Sequence, residues 1–208
     1  MSLTLLLISL FSQRIPPNCQ FEVDDFESEW PYNNSFDYIH GRELAGAIHD
    51  FSRLARQAFS HLRPGGFFEV QSFLVDIFSD DRSLDKAPYT KQGYALVQEA
   101  SAKFGKPMND LDKWPTIMRE AGFIEVVCKI VKVPLTPWPK DPKQKQIGRY
   151  FQIQHMQGIP AYTNALLSRV LGWSKAEIDI LNMHVLRELK DREVHQYEKL
   201  YLIYGRKP

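Results

Sequence analysis

Residues 36–73 read as one strand–helix–strand unit, and that unit fixes the class of fold. Asn33-Asn34-Ser35 supplies turn chemistry ahead of a strand from Phe36 to His40. Phe51, Leu54, Ala55, Ala58, Phe59 and Leu62 then recur with the helical period and form one apolar stripe. Asp50 is the predicted N-cap, Pro64-Gly65-Gly66 the stop, and Phe67 to Phe73 the returning strand. Such a crossover is right-handed and its two strands are parallel, so the chain is α/β. Ligands of these sheets sit outside the carboxyl ends of the strands. Three strand ends therefore form the rim of a pocket: Asp24-Asp25 after the short strand Phe21-Glu22-Val23, His40-Gly41-Arg42, and Gln71-Ser72.

The rest of the chain alternates in the same style. Helices are expected at Thr90–Phe104 and at Leu111–Ala121, the second ending at Gly122. A strand runs from Ile124 to Val133, before Pro134, Pro137 and Pro139. Lys140–Leu171 reads as two helical pieces separated by Gly158-Ile159-Pro160, a cap inserted over the substrate side. Ser174 and Glu177 form a capping box and open a helix whose Ile178, Leu181, Val185 and Leu189 share a face; Tyr197–Tyr204 is the last strand. The 208 residues suit a single domain, with an atypical apolar opening over residues 1–14 and the cap over residues 140–171. Leu3–Phe11 is far short of the ~20 apolar residues that span a bilayer and lacks a basic leader. It reads as a buried strand, although a misjoined gene product would also begin this way.

Charge and motif content exclude several classes. Lys+Arg 26 against Asp+Glu 25 gives a net charge of +1, which favours neither nucleic acid nor an anionic membrane. Cys19 and Cys128 form no metal-type pair and read as small buried residues of a protein from a reducing compartment, cytoplasmic or nuclear. The six histidines show no zinc-ligand spacing, so no metal site is expected. There is no G-x-S-x-G elbow and no phosphate-binding P-loop.

The segments PPNCQFEVDDFESEW, FDYIHGREL, LRPGGFFEVQS, EAGF and HQYEKLYLIYGRKP resemble the fungal LaeA-like methyltransferases, regulators and enzymes of secondary metabolism. The resemblance covers Ile15 to Pro208. It implies an incomplete Rossmann-like class I methyltransferase fold: a mostly parallel sheet with an antiparallel C-terminal strand and a helical cap insertion. It also implies S-adenosyl-L-methionine (SAM) as cofactor. Asp25 would accept a hydrogen bond from the adenine amine, and Phe26 would pack on the ring or donate its N–H. His40, Gly41 and Arg42 would lie at the methionine end. His40 is either a general base, its ordinary pKa being ~6.5, or a hydrogen-bonded structural residue. Arg42 pairs with a substrate carboxylate or with Asp25, or makes a helix-start salt bridge. Tyr150, Phe151, His155 and Met156 suit an apolar pocket, with core packing the simpler account. Trp138 reads as a rigid surface clamp, and His195 and Tyr197 as structural.

One feature of the family has no match in the sequence. No G-x-G turn occurs anywhere, and no Asp or Glu precedes Ile15, so the methionine-side loop and the ribose carboxylate lack counterparts. At about 1.5–3 kcal/mol per charge-assisted hydrogen bond, this would weaken SAM binding roughly a thousandfold. Three expectations follow: methyl transfer to a small-molecule or protein acceptor, impaired by the absent loop; a non-catalytic remnant that binds a partner or a second copy through an open sheet edge; or an incomplete gene model of an active enzyme.

Overall fold

A computed structural model describes residue 18, residues 25–33 and residues 35–208. The expected strands Leu3–Phe11 and Phe21–Val23, with Cys19 and Asp24, lie outside the described residues. The described elements run β1 (Phe36–Arg42), α1 (Phe51–His61), β2 (Leu62–Phe78), a 3-10 turn (Ser83–Lys86), α2 (Pro88–Lys103) and α3 (Trp114–Glu120). They continue with β3 (Ile124–Pro134), α4 (Pro142–Leu171), α5 (Lys175–Glu188) and β4 (Tyr197–Arg206).

The predicted unit forms as expected. The Asp50 carboxylate accepts the Arg53 N–H at 2.9 Å and caps α1, and Phe51, Leu54, Ala55 and Ala58 are buried. β1 pairs parallel with β2, placing His40 opposite Glu69 and Arg42 opposite Gln71. The sheet order is β1-β2-β4-β3, with β4 antiparallel to both its neighbours. Three described strands therefore run one way and the C-terminal strand runs against them.

Strand alternation gives the sheet two faces. One carries Phe68, Val70, Leu74, Tyr201 and Ile203, which close over α1 and over Trp114 and Met118 of α3. Phe51 stacks on Trp114 at 4.1 Å. The opposite face carries His40, Arg42, Glu69, Gln71 and Phe73, and, from β4, Glu198, Leu200, Leu202 and Tyr204. Its far end is covered by α2 and α4, which pack on β2 and β3. There Phe73 meets Phe151 of α4 at 5.3 Å.

Three expectations need correction. β2 does not stop near Phe73 but runs to Phe78, because β4 continues to pair with it beyond the end of β1. Gln71-Ser72 is thus mid-strand, and the Ser72 hydroxyl, fully buried, accepts the Ala45 N–H at 3.2 Å. The cap is not two helical pieces: α4 is continuous, with Pro160 inside it. Interior proline costs about 3 kcal/mol, and tertiary packing offsets that. Ile159 and Leu167 pack in a core shared with Ala100 of α2 and with Ile178, Leu181 and Val185 of α5. Thr163, donating to the Ile159 carbonyl at 2.8 Å, also bonds Asn182 of α5. The cap is therefore a three-helix group that includes α2. Finally, Cys128 is exposed on β3 rather than buried, because β3 is an edge strand of the described sheet.

The last turn of sequence explains the turn after α1. The Gly65 N–H donates to the Lys207 carbonyl at 2.9 Å, and the Lys207 N–H to the Gly66 carbonyl at 2.8 Å. Gly65 has φ +82°, and a side chain on Gly66 would meet backbone carbonyls at 3.0 Å. The helix itself ends at His61, with Leu62 already extended, so Pro-Gly-Gly is not the helix stop the sequence suggested but an irregular step inside the start of β2.

Leu167, with no exposed surface, anchors the three-helix group. Leu167→Ala is expected to cost about 2–5 kcal/mol in chemical denaturation followed by circular dichroism, with helical signal lost ahead of tryptophan burial at Trp114.

Candidate active site

Residues 25–33 form an irregular segment that lies along the outer edge of β1, and polar bonds rather than a ladder hold it there. Oε1 of Glu27 accepts the N–H groups of His49 at 2.7 Å and Asp50 at 3.2 Å, at the start of α1. Its other oxygen takes Lys106 Nζ at 3.3 Å, and Lys106 also reaches the Ala47 carbonyl at 2.7 Å. Burial would raise the Glu27 carboxyl, but the two backbone N–H groups and Lys106 outweigh it and hold the pKa below the ordinary value. The Trp30 N–H donates to Gln57 Oε1, and its indole N–H to the Phe26 carbonyl.

Pinned in this way, Phe26, Trp30 and Tyr32 face Phe36, Tyr38, Ile39 and His40 across a cleft of about 380 Å³. The cleft is aromatic on both walls. Trp30 meets Tyr32 edge-on at 6.3 Å, Tyr32 meets Phe36 edge-on at 5.3 Å, and Tyr38 stacks with His40 at 6.0 Å. It follows β1 from Phe36 to His40, so it is a groove along the strand with one end at the strand's carboxyl terminus.

Of the five residues singled out in the sequence, Phe26 and His40 share this cleft, while Asp25, Gly41 and Arg42 lie outside its lining. The Asp25 carboxylate turns back on its own segment, accepting the Glu27 N–H at 3.0 Å and the Ser28 hydroxyl at 3.3 Å. Gly41 lies under Leu44, whose Cδ1 would stand 2.5 Å from an added Cβ. Arg42 sits beside Glu43, whose φ of +51° turns the chain sharply off the strand while its N–H donates to the Gln71 carbonyl at 2.8 Å. Burial raises the Glu43 carboxyl above its usual range, against the Phe73 N–H and the Arg42 charge. Beside His40, Glu69 accepts the Tyr38 hydroxyl at 2.9 Å and the Gln71 amide at 2.5 Å. Burial first, and then Glu69, raise the Tyr38 phenol.

A second polar group escaped the sequence reading. Under the cap, Glu198 of β4 accepts the Tyr94 hydroxyl from α2 and lies 3.3 Å from His155 Nε2 of α4. His155 Nδ1 is 2.9 Å from the Phe151 carbonyl. Phe151 and Met156 fill the apolar space beside Ile77, Leu135 and Leu189, whereas Tyr150 points to solvent. The available signal was Glu198 itself, a carboxylate at an inward position of the apolar run YEKLYLIY. Such a position demands a partner.

The remaining expectations concern structure. Trp138 donates its indole N–H to the Gln196 carbonyl at 3.0 Å, and His195 bonds Asp81 and Ser83. Among the described residues no cluster could hold a metal ion, and no helix is long and apolar enough to cross a membrane.

Comparison with known proteins places these features. A family model described as a methyltransferase domain matches residues 6–128, so the match begins inside the apolar opening segment. The chain is 34% identical over 196 residues to methyltransferase pytC of Aspergillus terreus, covering 93% of this chain and 60% of that protein. It is 31% identical over 206 residues to the secondary metabolism regulator LAE1 of Cochliobolus heterostrophus, covering 97% of this chain and 67% of that one. The chain thus spans 60% of the length of pytC. The YcgJ protein from Bacillus subtilis superposes with a TM-score of 0.50 at 17% identity, over 96% of this chain and 75% of that chain, a likeness of fold alone.

Glu27 is the test of how the cleft is held. Glu27→Gln is expected to cost about 1.5–3 kcal/mol, the range for a hydrogen bond to a charged group, in urea denaturation at neutral pH. A depressed carboxyl stabilises the fold above its unfolded pKa, and that contribution is lost as pH falls through the folded value. The difference between wild type and variant should therefore close below about pH 4.5.

Proposed function

Because the chain belongs to the methyltransferase-domain family, we propose that it takes part in SAM-dependent methyl transfer to a small-molecule acceptor of secondary metabolism. The observation that carries this reading is the aromatic cleft that brings Phe26 and His40 together at the edge of β1.

The residues suit the nucleoside part of SAM. Phe26, Trp30 and Tyr32 offer flat apolar walls for a purine, and a purine between such walls gains stacking energy without needing charge. Asp25, next to Phe26, would accept a hydrogen bond from the exocyclic amine in exchange for bonds within its own turn. His40, Gly41 and Arg42 would face the methionine end. SAM supplies a sulfonium-bound, electrophilic methyl group, and the protein's share is to hold the acceptor in line with it. His40 is exposed and pairs only with Tyr38 among the described ring contacts. That leaves its nitrogens open to take an acceptor proton. No Gly-x-Gly turn occurs in the 208 residues, so the affinity these residues provide is expected to be modest.

Titration calorimetry with SAM tests the reading. Binding in the micromolar range is expected, with Phe26→Ala weakening it about 3- to 10-fold through a lost stacking contact of ~0.5–1.5 kcal/mol. Absence of heat at millimolar SAM would remove the enzyme reading.

A second reading has its own observation. Among the described residues β1 pairs with β2 only, and a strand at the edge of a sheet can pair with another chain. A relative is named as a regulator of secondary metabolism. On this reading the module binds a protein partner or a second copy through the β1 edge. Light scattering on a size-exclusion column distinguishes the two readings: a stable dimer that Tyr38→Pro abolishes supports edge pairing, and a monomer at all concentrations counts against self-association.

A further inference from the structure

His155, Glu198 and Tyr94 join three elements that are far apart in the chain: the cap helix α4, strand β4 and helix α2. Their hydrogen bonds fix where the protons are. A carbonyl oxygen only accepts, so His155 Nδ1, at 2.9 Å from the Phe151 carbonyl, carries a proton. Nε2 faces Glu198 Oε1 at 3.3 Å, and the same oxygen already accepts the Tyr94 hydroxyl. A carboxylate receiving two donors satisfies all three groups. His155 is then an imidazolium, with its side chain 17% and that of Glu198 9% exposed.

We propose that the His155–Glu198–Tyr94 clasp is a proton-dependent tie between the cap helices α4 and α2 and strand β4: it holds while both ring nitrogens of His155 carry protons and loosens when one proton is lost. The clasp does not depend on the methyl-transfer reading. Glu198 lies within the ladder, opposite Val133 of β3, on the sheet face that α2 and α4 cover. Phe151, one helical turn before His155, packs on Phe73 of β2.

Few groups face the ring: Glu198 meets Nε2 from β4 while accepting the Tyr94 hydroxyl from α2, and the Phe151 carbonyl meets Nδ1 from α4 itself. Helix α5 contributes the Leu189 carbonyl to Gln152 rather than a charge. Burial alone would lower the His155 pKa, but the Glu198 hydrogen bond and charge, with the Phe151 carbonyl, lift it above its ordinary 6.5. A raised histidine stabilises fully below its unfolded pKa, and the contribution is lost as pH rises through the folded value. The clasp is therefore fully closed below the ordinary histidine pKa and loosens as pH rises through the raised one of His155.

The experiment uses the full chain with no cofactor or acceptor, so its failure is separate from any failure to bind SAM. Histidine ring resonances are followed by NMR from pH 5 to 10, with His155 identified by loss of its signal in His155→Gln. The His155 titration is expected above 6.5, lower in Glu198→Gln, and higher in Tyr94→Phe, where the carboxylate has one donor fewer. In parallel, amide exchange of α4 is measured relative to α1 in the same sample. Relative protection should fall about tenfold as His155 deprotonates, the low end for one charge-assisted hydrogen bond, and should be independent of pH in His155→Gln. A wild-type titration at or below 6.5 overturns the clasp, as does a Tyr94→Phe shift that is absent or downward. So does α4 protection that follows pH identically in wild type and His155→Gln. Tyr94→Phe keeps the test decisive where Glu198→Gln fails to fold.

Discussion

The structure depends on β4 taking its place between β2 and β3. It is antiparallel to both, so it supplies the ladder for β3 and extends β2 beyond the reach of β1. Tyr201 and Ile203 place its apolar side in the core under α1 and α3. Its other side ends in Glu198, the group that ties the cap helices to the sheet. At its far end Lys207 closes on the Pro-Gly-Gly turn and sends Nζ to the Leu62 carbonyl at 2.7 Å. One strand therefore fixes the core, the cap and the entrance to β2.

Much of this was legible in residues with local periodicity. The α1 stripe, its Asp50 cap, the Ser174–Glu177 box and the parallel β1–β2 crossover all depend on neighbours within a few positions, where spacing alone carries the information. What escaped depended on distant partners. Pro160 signals a break locally, yet the buried neighbours of α4 keep the helix whole. The length of β2 is set by a strand more than a hundred residues away. Cys128 looked like a core residue by type, but exposure follows from its edge strand.

The candidate site divides along the same line. His40 was legible as the end of a strand signal and Phe26 through the family resemblance; the two share a cleft. Asp25 was picked out by its place after a strand signal and by the family resemblance, and its carboxylate bonds within its own turn. Glu27, the residue that holds the segment in place, was not picked out, since nothing local distinguishes it from Glu29. Its role comes from Lys106 and the start of α1. The LRPGG and YGRKP segments, read separately in the sequence, touch through the paired bonds of Gly65, Gly66 and Lys207. Their joint appearance is explained by one turn made from two pieces of chain.

The position of β4 also sets the order in which the molecule can be built. It is the last of the four strands to leave the ribosome, yet it belongs in the interior of the ladder. Until it emerges, β3 has no hydrogen-bonded neighbour among the described strands, and the inner edge of β2 is bare. The nascent chain thus carries two unsatisfied strand edges and a half-exposed apolar face for most of its synthesis. Pairings of such sequence separation form slowly, and a chain that waits with bare strand edges and apolar surface is prone to aggregate before its last strand closes the sheet.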